Sequence, residues 1–330
     1  MPQPENPGAS VELAVIINSF NRRNLLEKAI SALLPALREL PFGAAVFVFE
    51  AGSTDGSLEF LEQWARENPR DTLHLVRPAP GEDTSFSAGV NAACTAASSR
   101  YPTVRWLFLY ETDNWIAGPE PLLHARNLLV AQPGLAAAGF TVRRHDGARA
   151  GYGVRFPTVA SFVAGQNLTA ALKLDRPNAS VRQRTGEFEW FTCDVVFTSP
   201  LLIRREAWEA SGGIDAQMFP FSDSDLDWAW RCAHLGWGMA VIETDAVVHD
   251  NLAVASAWSA NRVVDLHRSR MRLLKRHRGA WIGIVKPLLF ARHAVESLLL
   301  ARSAGRDDAG RKKLEKRIEM RRTVWRDYQA

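Results

Sequence analysis

The chain has 330 residues, 47% of them apolar, and its 40 Lys and Arg against 36 Asp and Glu leave a formal charge of +4. That length and apolar share can bury a full core, which excludes a disordered chain and a small disulfide-stapled module. The charge is unevenly placed: residues 262–330 hold 19 basic and 7 acidic residues, a balance of +12, while the rest stands at −8. A basic segment on an acidic body suits an anionic partner, either a membrane surface or a nucleic acid. Met1 to Ser10 lack the basic start and apolar run of a secretory leader, so a cytoplasmic protein is expected. Cys94, Cys193 and Cys232 are odd in number and show no CxxC spacing, so buried free thiols are expected rather than a zinc site or a disulfide framework. Asn167-Leu168-Thr169 and Asn178-Ala179-Ser180 match the glycosylation sequon, but without a leader such short matches arise by chance.

In chain order, the N-terminal third alternates apolar β-rich runs with longer helical patterns, which predicts βαβ units and a mostly parallel sheet. Strands are predicted at Val11 to Ile17, Ala45 to Phe49, Leu73 to Val76 and Val104 to Tyr110, with helices at Leu25 to Leu40, Leu58 to Glu67 and around Gly89 to Ser98. A helix near Leu122 to Ala131 and a strand at Leu135 to Val142 follow; Arg143 to Glu187 has no regular pattern and is expected to be loop-rich. Next come a strand pair around Trp190 to Ile203, a short helix Arg205 to Ala210, the turn Ser211-Gly212-Gly213 and a strand ending at His249. Beyond Asp250 the pattern is helical: Arg262 to His277, Trp281 to Leu300 broken at Pro287, and Arg311 to Tyr328. The middle of these contains Lys286, Arg292, His293 and Glu296, too many charges for a bilayer span, although an amphipathic helix lying on a membrane surface fits it.

Functional groups in parallel sheets gather at the carboxyl ends of strands. Here those ends run into Asn18-Ser19-Phe20-Asn21-Arg22, Glu50-Ala51-Gly52-Ser53-Thr54-Asp55-Gly56-Ser57 and Glu111-Thr112-Asp113-Asn114. Ser53 or Asp55 would serve as the cap of the following helix on turn chemistry alone. Glu111 and Asp113 lie two apart and would point the same way if strand geometry persists, an oxygen pair suited to Mg²⁺ or Mn²⁺. A second acidic run, Asp223-Ser224-Asp225-Leu226-Asp227-Trp228-Ala229-Trp230-Arg231, opens a helix, with Ser222 or Ser224 as its expected cap. It fails the calcium-loop pattern, having Trp228 where a Gly is needed and His234 where the bidentate Glu belongs.

Together these segments resemble the family 2 glycosyltransferases, whose fold is the GT-A nucleotide-sugar-binding α/β domain. The resemblance runs through Val15-Ile16-Ile17-Asn18-Ser19-Phe20-Asn21-Arg22, the Glu50 to Ser57 turn, Phe86-Ser87-Ala88-Gly89-Val90-Asn91 and Glu111-Thr112-Asp113. It continues through Gly212-Gly213-Ile214-Asp215, Ser224 to Arg231 and Gly236-Trp237 to His249, all in the family's order. It covers roughly Val11 to Asp250 and is similar to bacterial rhamnosyltransferase-like members. Glu50, Glu111 and Ser224 stand where the family has Asp, Asp and Glu.

The resemblance implies a GT-A domain over residues 1–250, with a nucleotide-binding half at about 11–115 and an acceptor half at 116–250. A mostly parallel central sheet is expected, and residues 251–330 form a basic helical C-terminal extension. It implies an inverting transfer from a UDP- or dTDP-type sugar to a glycan or lipid-linked acceptor. Asp225 is the implied general base, and Asp113 and His249 the implied ligands of a divalent Mg²⁺ or Mn²⁺. Asn18, Asn21, Arg22, Glu50, Ser53, Asn91 and Glu111 would line the donor pocket. Trp190 and Trp228 are candidate sugar platforms, since an aromatic face packs on a pyranose. The competing reading is a nucleotide-sugar-binding protein of the same fold without turnover. The basic C-terminal helices are expected to pack on the core with their basic faces solvated, with peripheral membrane contact at the inner face as the alternative, and nucleic acid is not an expected partner.

Overall fold

The computed structural model describes residues 10–69, 72–144, 146–150, 153–172, 181–197, 200–249, 260–304 and 308–326. Asp250, Tyr328, the Asn178 sequon and the first nine residues lie outside them.

Contacts divide the chain into two compact units, one of residues 1–154 and 177–252 and the other of residues 155–176 and 253–330. In the first, β1 (Val11–Ser19) is a run of β-branched and apolar residues buried from Leu13 to Ile17, as expected of a strand covered on both faces. It pairs in parallel with β2 (Gly43–Glu50) and with β4 (Trp106–Leu109), and β2 pairs in parallel with β3 (Leu73–Val76). Three helices make the crossovers: α1 (Arg23–Arg38), α2 (Ser57–Glu67) and α3 (Phe86–Arg100). On α1, Leu26, Ile30, Leu33 and Leu37 recur at helical spacing and are buried, so this face packs on the sheet. Each fully buried Leu or Ile of this kind stabilises the fold by roughly 1.5–3 kcal/mol.

The sheet then extends through α4 (Glu120–Ala131), β6 (Leu135–Phe140), β9 (Gln183–Thr185), β10 (Phe188–Cys193), β11 (Leu201–Arg204), α6 (Arg205–Ser211), α7 (Ser224–His234) and β12 (Gly238–Ile242). Its order is β3-β2-β1-β4-β11-β6-β12-β10-β9. The predicted pair around Trp190 to Ile203 therefore consists of two strands that are not neighbours: β10 lies between β12 and β9, and β11 between β4 and β6. Strand β12, not predicted as a strand of its own, lies between β6 and β10.

A second sheet of order β5-β13-β7-β8 comprises β5 (Asn114–Ile116), β13 (Val247–His249), β7 (Val142–Arg143) and β8 (Arg149–Ala150). It arises because β6 and β12 leave the main sheet side by side. Thr141 and Thr244 clip the exits together: the Thr141 hydroxyl donates to the Thr244 carbonyl at 2.7 Å and accepts the Thr244 N–H at 2.9 Å. The turn from main sheet to second sheet is what delivers β13, and with it His249, to the strand following Asp113.

The second unit contains α5 (Val159–Ala171), α8 (Ala260–Arg278), α9 (Ile282–Ala304) and α10 (Asp308–Arg326). Helix α5, interrupted at Gly165 with φ 70° and ψ 174°, occupies part of the stretch expected to be loop. Arg292 reaches from α9 to the Val163 carbonyl at 2.8 Å, and its guanidinium fills the space a Cβ would take at Gly165. Helix α9 runs through Pro287 rather than breaking there: the proline is close to the start of the helix, so only the first turn, which would bond through the Gly283 carbonyl, is disturbed. No helix among the described residues is long and apolar enough to cross a membrane.

Candidate active site

The loops after β1 and β2 are stitched into one frame. The Asn21 N–H donates to Ser53 Oγ at 2.9 Å, and Asn21 Oδ1 accepts the Thr54 N–H at 2.8 Å. Asn21 has φ 50°, a left-handed conformation that asparagine tolerates and that aims both its groups at the neighbouring loop. The Arg23 N–H, at the start of α1, donates to Asp55 Oδ2 at 2.8 Å, while Asp55 Oδ1 accepts the Ser57 N–H at 3.1 Å and hydroxyl at 2.6 Å. Asp55 thus caps the starts of two helices. Burial alone would raise its pKa, but the bonds from Ser57 and Arg23 outweigh it and hold the carboxyl below its ordinary value.

Glu50, 3% exposed at the end of β2, accepts the Gly52 N–H at 3.0 Å and the Ser53 N–H at 2.8 Å on its two oxygens. Its carboxylate shapes the turn. On the other side of β1, Asn18 faces the first turn of α3, where a Cβ at Gly89 would come within 2.6 Å of both Asn18 Oδ1 and the Phe49 ring. Glycine there lets the helix approach the strand ends. Asn18 Oδ1 is buried with no hydrogen-bond partner.

Strand β4 ends at Leu109, so the strand geometry that would align Glu111 with Asp113 does not persist. Instead the chain turns, the Asn114 N–H donating to the Glu111 carbonyl at 3.2 Å. Glu111 is half-buried, whereas Asp113 is buried, with a side chain 4% exposed. Arg22 Nη1 lies 3.5 Å from Asp113 Oδ2, and His249 Nδ1 lies 3.8 Å from Asp113 Oδ1. Asp113 Oδ1 has no hydrogen-bond partner. A buried carboxylate oxygen in that condition is costly unless something else supplies a positive charge.

His249 arrives by register: β13 pairs antiparallel with β5, setting His249 opposite Asn114. Asn114 orients it. The Asn114 Nδ2 donates to the Glu111 carbonyl at 3.2 Å, which turns its Oδ1 toward His249 Nδ1 at 2.9 Å. An amide oxygen only accepts, so Nδ1 carries the proton and Nε2 of the neutral ring presents a lone pair. This is the outer-shell arrangement that prepares an imidazole for a cation. The Tyr110 hydroxyl donates to the Asn114 carbonyl at 2.6 Å and fixes the turn from beneath, with burial pushing its pKa up.

Asp113 and His249 bring together a carboxylate and an imidazole, two ligand types a divalent cation accepts, with Nδ1 the ring nitrogen nearer the carboxylate at 3.8 Å. Among the described residues no three His, Cys, Asp or Glu side chains are grouped to hold a metal.

The remaining candidates divide. Asp225 is half-buried in the first turn of α7, its Oδ1 accepting the Leu226 N–H at 2.8 Å. The loop before it is tied to α3, with Ser87 Oγ donating to the Phe219 carbonyl at 2.6 Å and the Ser87 N–H to Pro220 at 3.0 Å. Phe221 in that loop is 66% exposed. Asp223, with φ 60°, is the residue before α7, so neither Ser222 nor Ser224 is its cap. Asp227 is fully buried and binds Arg231 at 2.8 Å, which in turn holds the carbonyls of Ser211 and Gly213; its place is structural. Asn91 clamps Ile214, its Nδ2 donating to the Ile214 carbonyl at 2.6 Å and its Oδ1 accepting the Ile214 N–H at 3.0 Å. Trp190 and Trp228 are 3% and 1% exposed, and their indole N–H groups go to Thr185 and Ser211. Neither offers an open face to a sugar. Asn114 and Asp55 are the residues the sequence alone did not single out as site builders; their signal is adjacency to the Asp113 and Ser53 motifs.

A family model described as glycosyltransferase like family 2 matches residues 9–283. No curated protein matches the chain by sequence. Among solved structures, a mannosyltransferase from Pyrobaculum calidifontis in complex with GDP-Man and Mn²⁺ is similar at 16% identity and TM-score 0.52, over 99% of this chain and 90% of that one. GalNAc-T7 with UDP, GalNAc and Mn²⁺ is similar at 12% identity and TM-score 0.55, over 82% of this chain and 48% of that one. The parallel strand ends that bring Arg22 beside Asp113 are thus those of a GT-A fold, and the chain belongs to the family 2 glycosyltransferases.

Proposed function

We propose that this glycosyltransferase moves a sugar from a UDP- or dTDP-type donor to a hydroxyl of a glycan or lipid-linked saccharide, with inversion at the anomeric carbon. The observation that carries the reading is the buried Asp113, whose partnerless Oδ1 and flanking Arg22 and His249 sit beside the locked Asn21–Ser53 frame.

Asp113 and His249 would hold a divalent Mg²⁺ or Mn²⁺, which when bound neutralises charge on the departing diphosphate. Mn²⁺ in these two structural neighbours supports a divalent cation here, and their two different bases, guanine and uracil, leave base selection to residues of this chain. Arg22, 35% exposed at its side chain, is placed to exchange part of its contact with Asp113 for a phosphate oxygen. Asn18, Asn21 and Ser53 line the donor pocket, and Glu50 acts on it by holding the Gly52–Ser53 turn. Glu111, half-buried at the Asp113 turn, contacts the ribose or reaches the cation through water. Asp225 accepts the acceptor hydroxyl's proton as the new bond forms, because a neutral hydroxyl is a poor nucleophile. Single displacement needs no covalent intermediate, and one base suffices.

The test is release of nucleoside diphosphate from a panel of nucleotide sugars with and without Mn²⁺, in wild type and Asp225→Asn. The proposal expects metal-dependent release that falls by about 10² or more in Asp225→Asn with nucleotide binding kept. Binding without release for every donor and acceptor tried would instead support a binding protein of the same fold.

A further inference from the structure

Helix α9 is apolar on two sides. One side is accounted for: Val285, Leu289 and His293 are at most 2% exposed within the C-terminal unit. The other is bare. Ile284, Leu288, Val295, Leu298 and Leu299 are 47–68% exposed, and at about 100° per residue they fall within one stripe about 100° wide. Trp281, 48% exposed, begins the same face. From Trp281 to Ala301 every exposed residue is uncharged. Such a helix would present an apolar surface about 30 Å long, the kind that marks an interaction site rather than a solvated face.

What fits this face is decided by charge. Residues 262–330 carry 19 basic against 7 acidic residues, so two copies meeting through this segment would repel, whereas an anionic surface is attracted. Basic groups also stand beside aromatic ones on the neighbouring α10. Arg321, Arg322, Phe290 and Trp325 line an open recess of about 530 Å³. Within it the Arg321 guanidinium lies 5.7 Å from the centre of the Phe290 ring, and Lys286 Nζ lies 5.0 Å from that of Trp325. Tryptophan and arginine with apolar bodies and polar tips suit the boundary between lipid headgroups and acyl chains. No described helix is long and apolar enough to cross the bilayer, so contact of this kind would lie in the plane of the surface.

We propose that the C-terminal helical unit docks on an anionic phospholipid bilayer, the Trp281 to Leu299 face of α9 entering the headgroup boundary and the unit's excess of basic residues drawing it to the anionic surface. None of these residues is assigned a part in transfer, so the proposal stands or falls independently of that reading.

The experiment is co-sedimentation of the full chain with vesicles of phosphatidylcholine alone and of phosphatidylcholine mixed with phosphatidylglycerol. Binding to the mixed vesicles, weakened by salt and much lower on the neutral ones, is expected. The double variant Leu288→Glu/Leu298→Glu should lower binding by about tenfold or more, and Arg321→Glu/Arg322→Glu should reduce the preference for anionic lipid. Circular dichroism confirms that each variant keeps its helix content; should the first pair unfold, the second pair and Trp281→Ala carry the test. No binding to anionic vesicles, or wild-type binding in the folded variants, overturns the proposal. A wild-type dimer in sedimentation velocity that Leu288→Glu disperses would assign the face to a second copy and likewise overturn it.

Discussion

Lowering the pH from 7 to 5 should weaken the C-terminal helical unit through a pair of buried imidazoles. His267 on α8 and His293 on α9 lie with ring centroids 5.2 Å apart, and neither nitrogen of His293 nor Nε2 of His267 has a hydrogen-bond partner. The charged groups around them are Arg292 and Glu296 on α9 and Arg317 and Arg321 on α10, with Glu296 paired to Arg292 at 3.0 Å and to Arg317 at 2.8 Å. Burial, and then the charges of Arg292 and Arg317, pushes His267 down to about 4; burial, then His267 and the arginines, pushes His293 down to about 3. In the unfolded chain each ring takes up a proton as the pH falls through about 6.5, while in the folded chain both stay neutral until about 4. Protons therefore favour the unfolded state, and the loss begins below about pH 6.5. A ring protonated only when unfolded costs about 1.4 kcal/mol per pH unit, or about 2 kcal/mol by pH 5. His74 and His124, which burial also holds below the ordinary range, push the same way, so the readout is a difference. Between pH 7 and 5, urea denaturation of wild type should lose about 2 kcal/mol more than His293→Phe, whose ring keeps the volume without the titration. Equal losses in the two proteins would refute the reasoning.

Asn91→Ala removes both hydrogen bonds to the Ile214 backbone and should cost about 1–3 kcal/mol in urea denaturation, with Asn91→Asp also destabilised because the carboxylate cannot donate to the Ile214 carbonyl. Asp55→Ala uncaps the starts of α1 and α2, and should cost about 1 kcal/mol and raise KM for the donor more than it lowers kcat. The three thiols are buried, Cys193 and Cys232 being pushed up to about 12 and about 11 and Cys94 higher still, by burial first in each case. Dithionitrobenzoate should leave all three unreacted in native protein at pH 7 and label all three in urea.

The parallel half of the sheet is legible in the sequence because its strands are fully buried apolar runs and its turns carry Gly52, Gly56 and the capping Asp55, chemistry that works over a few residues. What is illegible depends on distant partners. Strands β5, β7 and β8 have two or three residues each and exist because of what they pair with. Asn114 becomes the residue that orients His249 only when β5 meets β13, a pairing 135 residues apart in the chain. Asn91 sits in a motif that suggests a donor pocket, yet its amide is spent on Ile214, 123 residues away. Trp190 and Trp228 look like sugar platforms by residue type, but whether a tryptophan is core depends on partners such as Thr185 and Ser211 that no local pattern reveals. The meeting of Asp113 with His249 follows from the order of several weak motifs and from no single one of them.

The central claim is that Asp113 is the anchor of a cation-assisted nucleotide site. Calorimetric titration of UDP, dTDP and GDP into wild type and Asp113→Asn, each in Mn²⁺ and in EDTA, tests it most directly. Wild type should bind a nucleoside diphosphate about tenfold or more tightly with Mn²⁺ than without, and Asp113→Asn should lose that difference while remaining folded. Equal wild-type affinity in Mn²⁺ and EDTA, or a metal dependence that Asp113→Asn leaves intact, would contradict it.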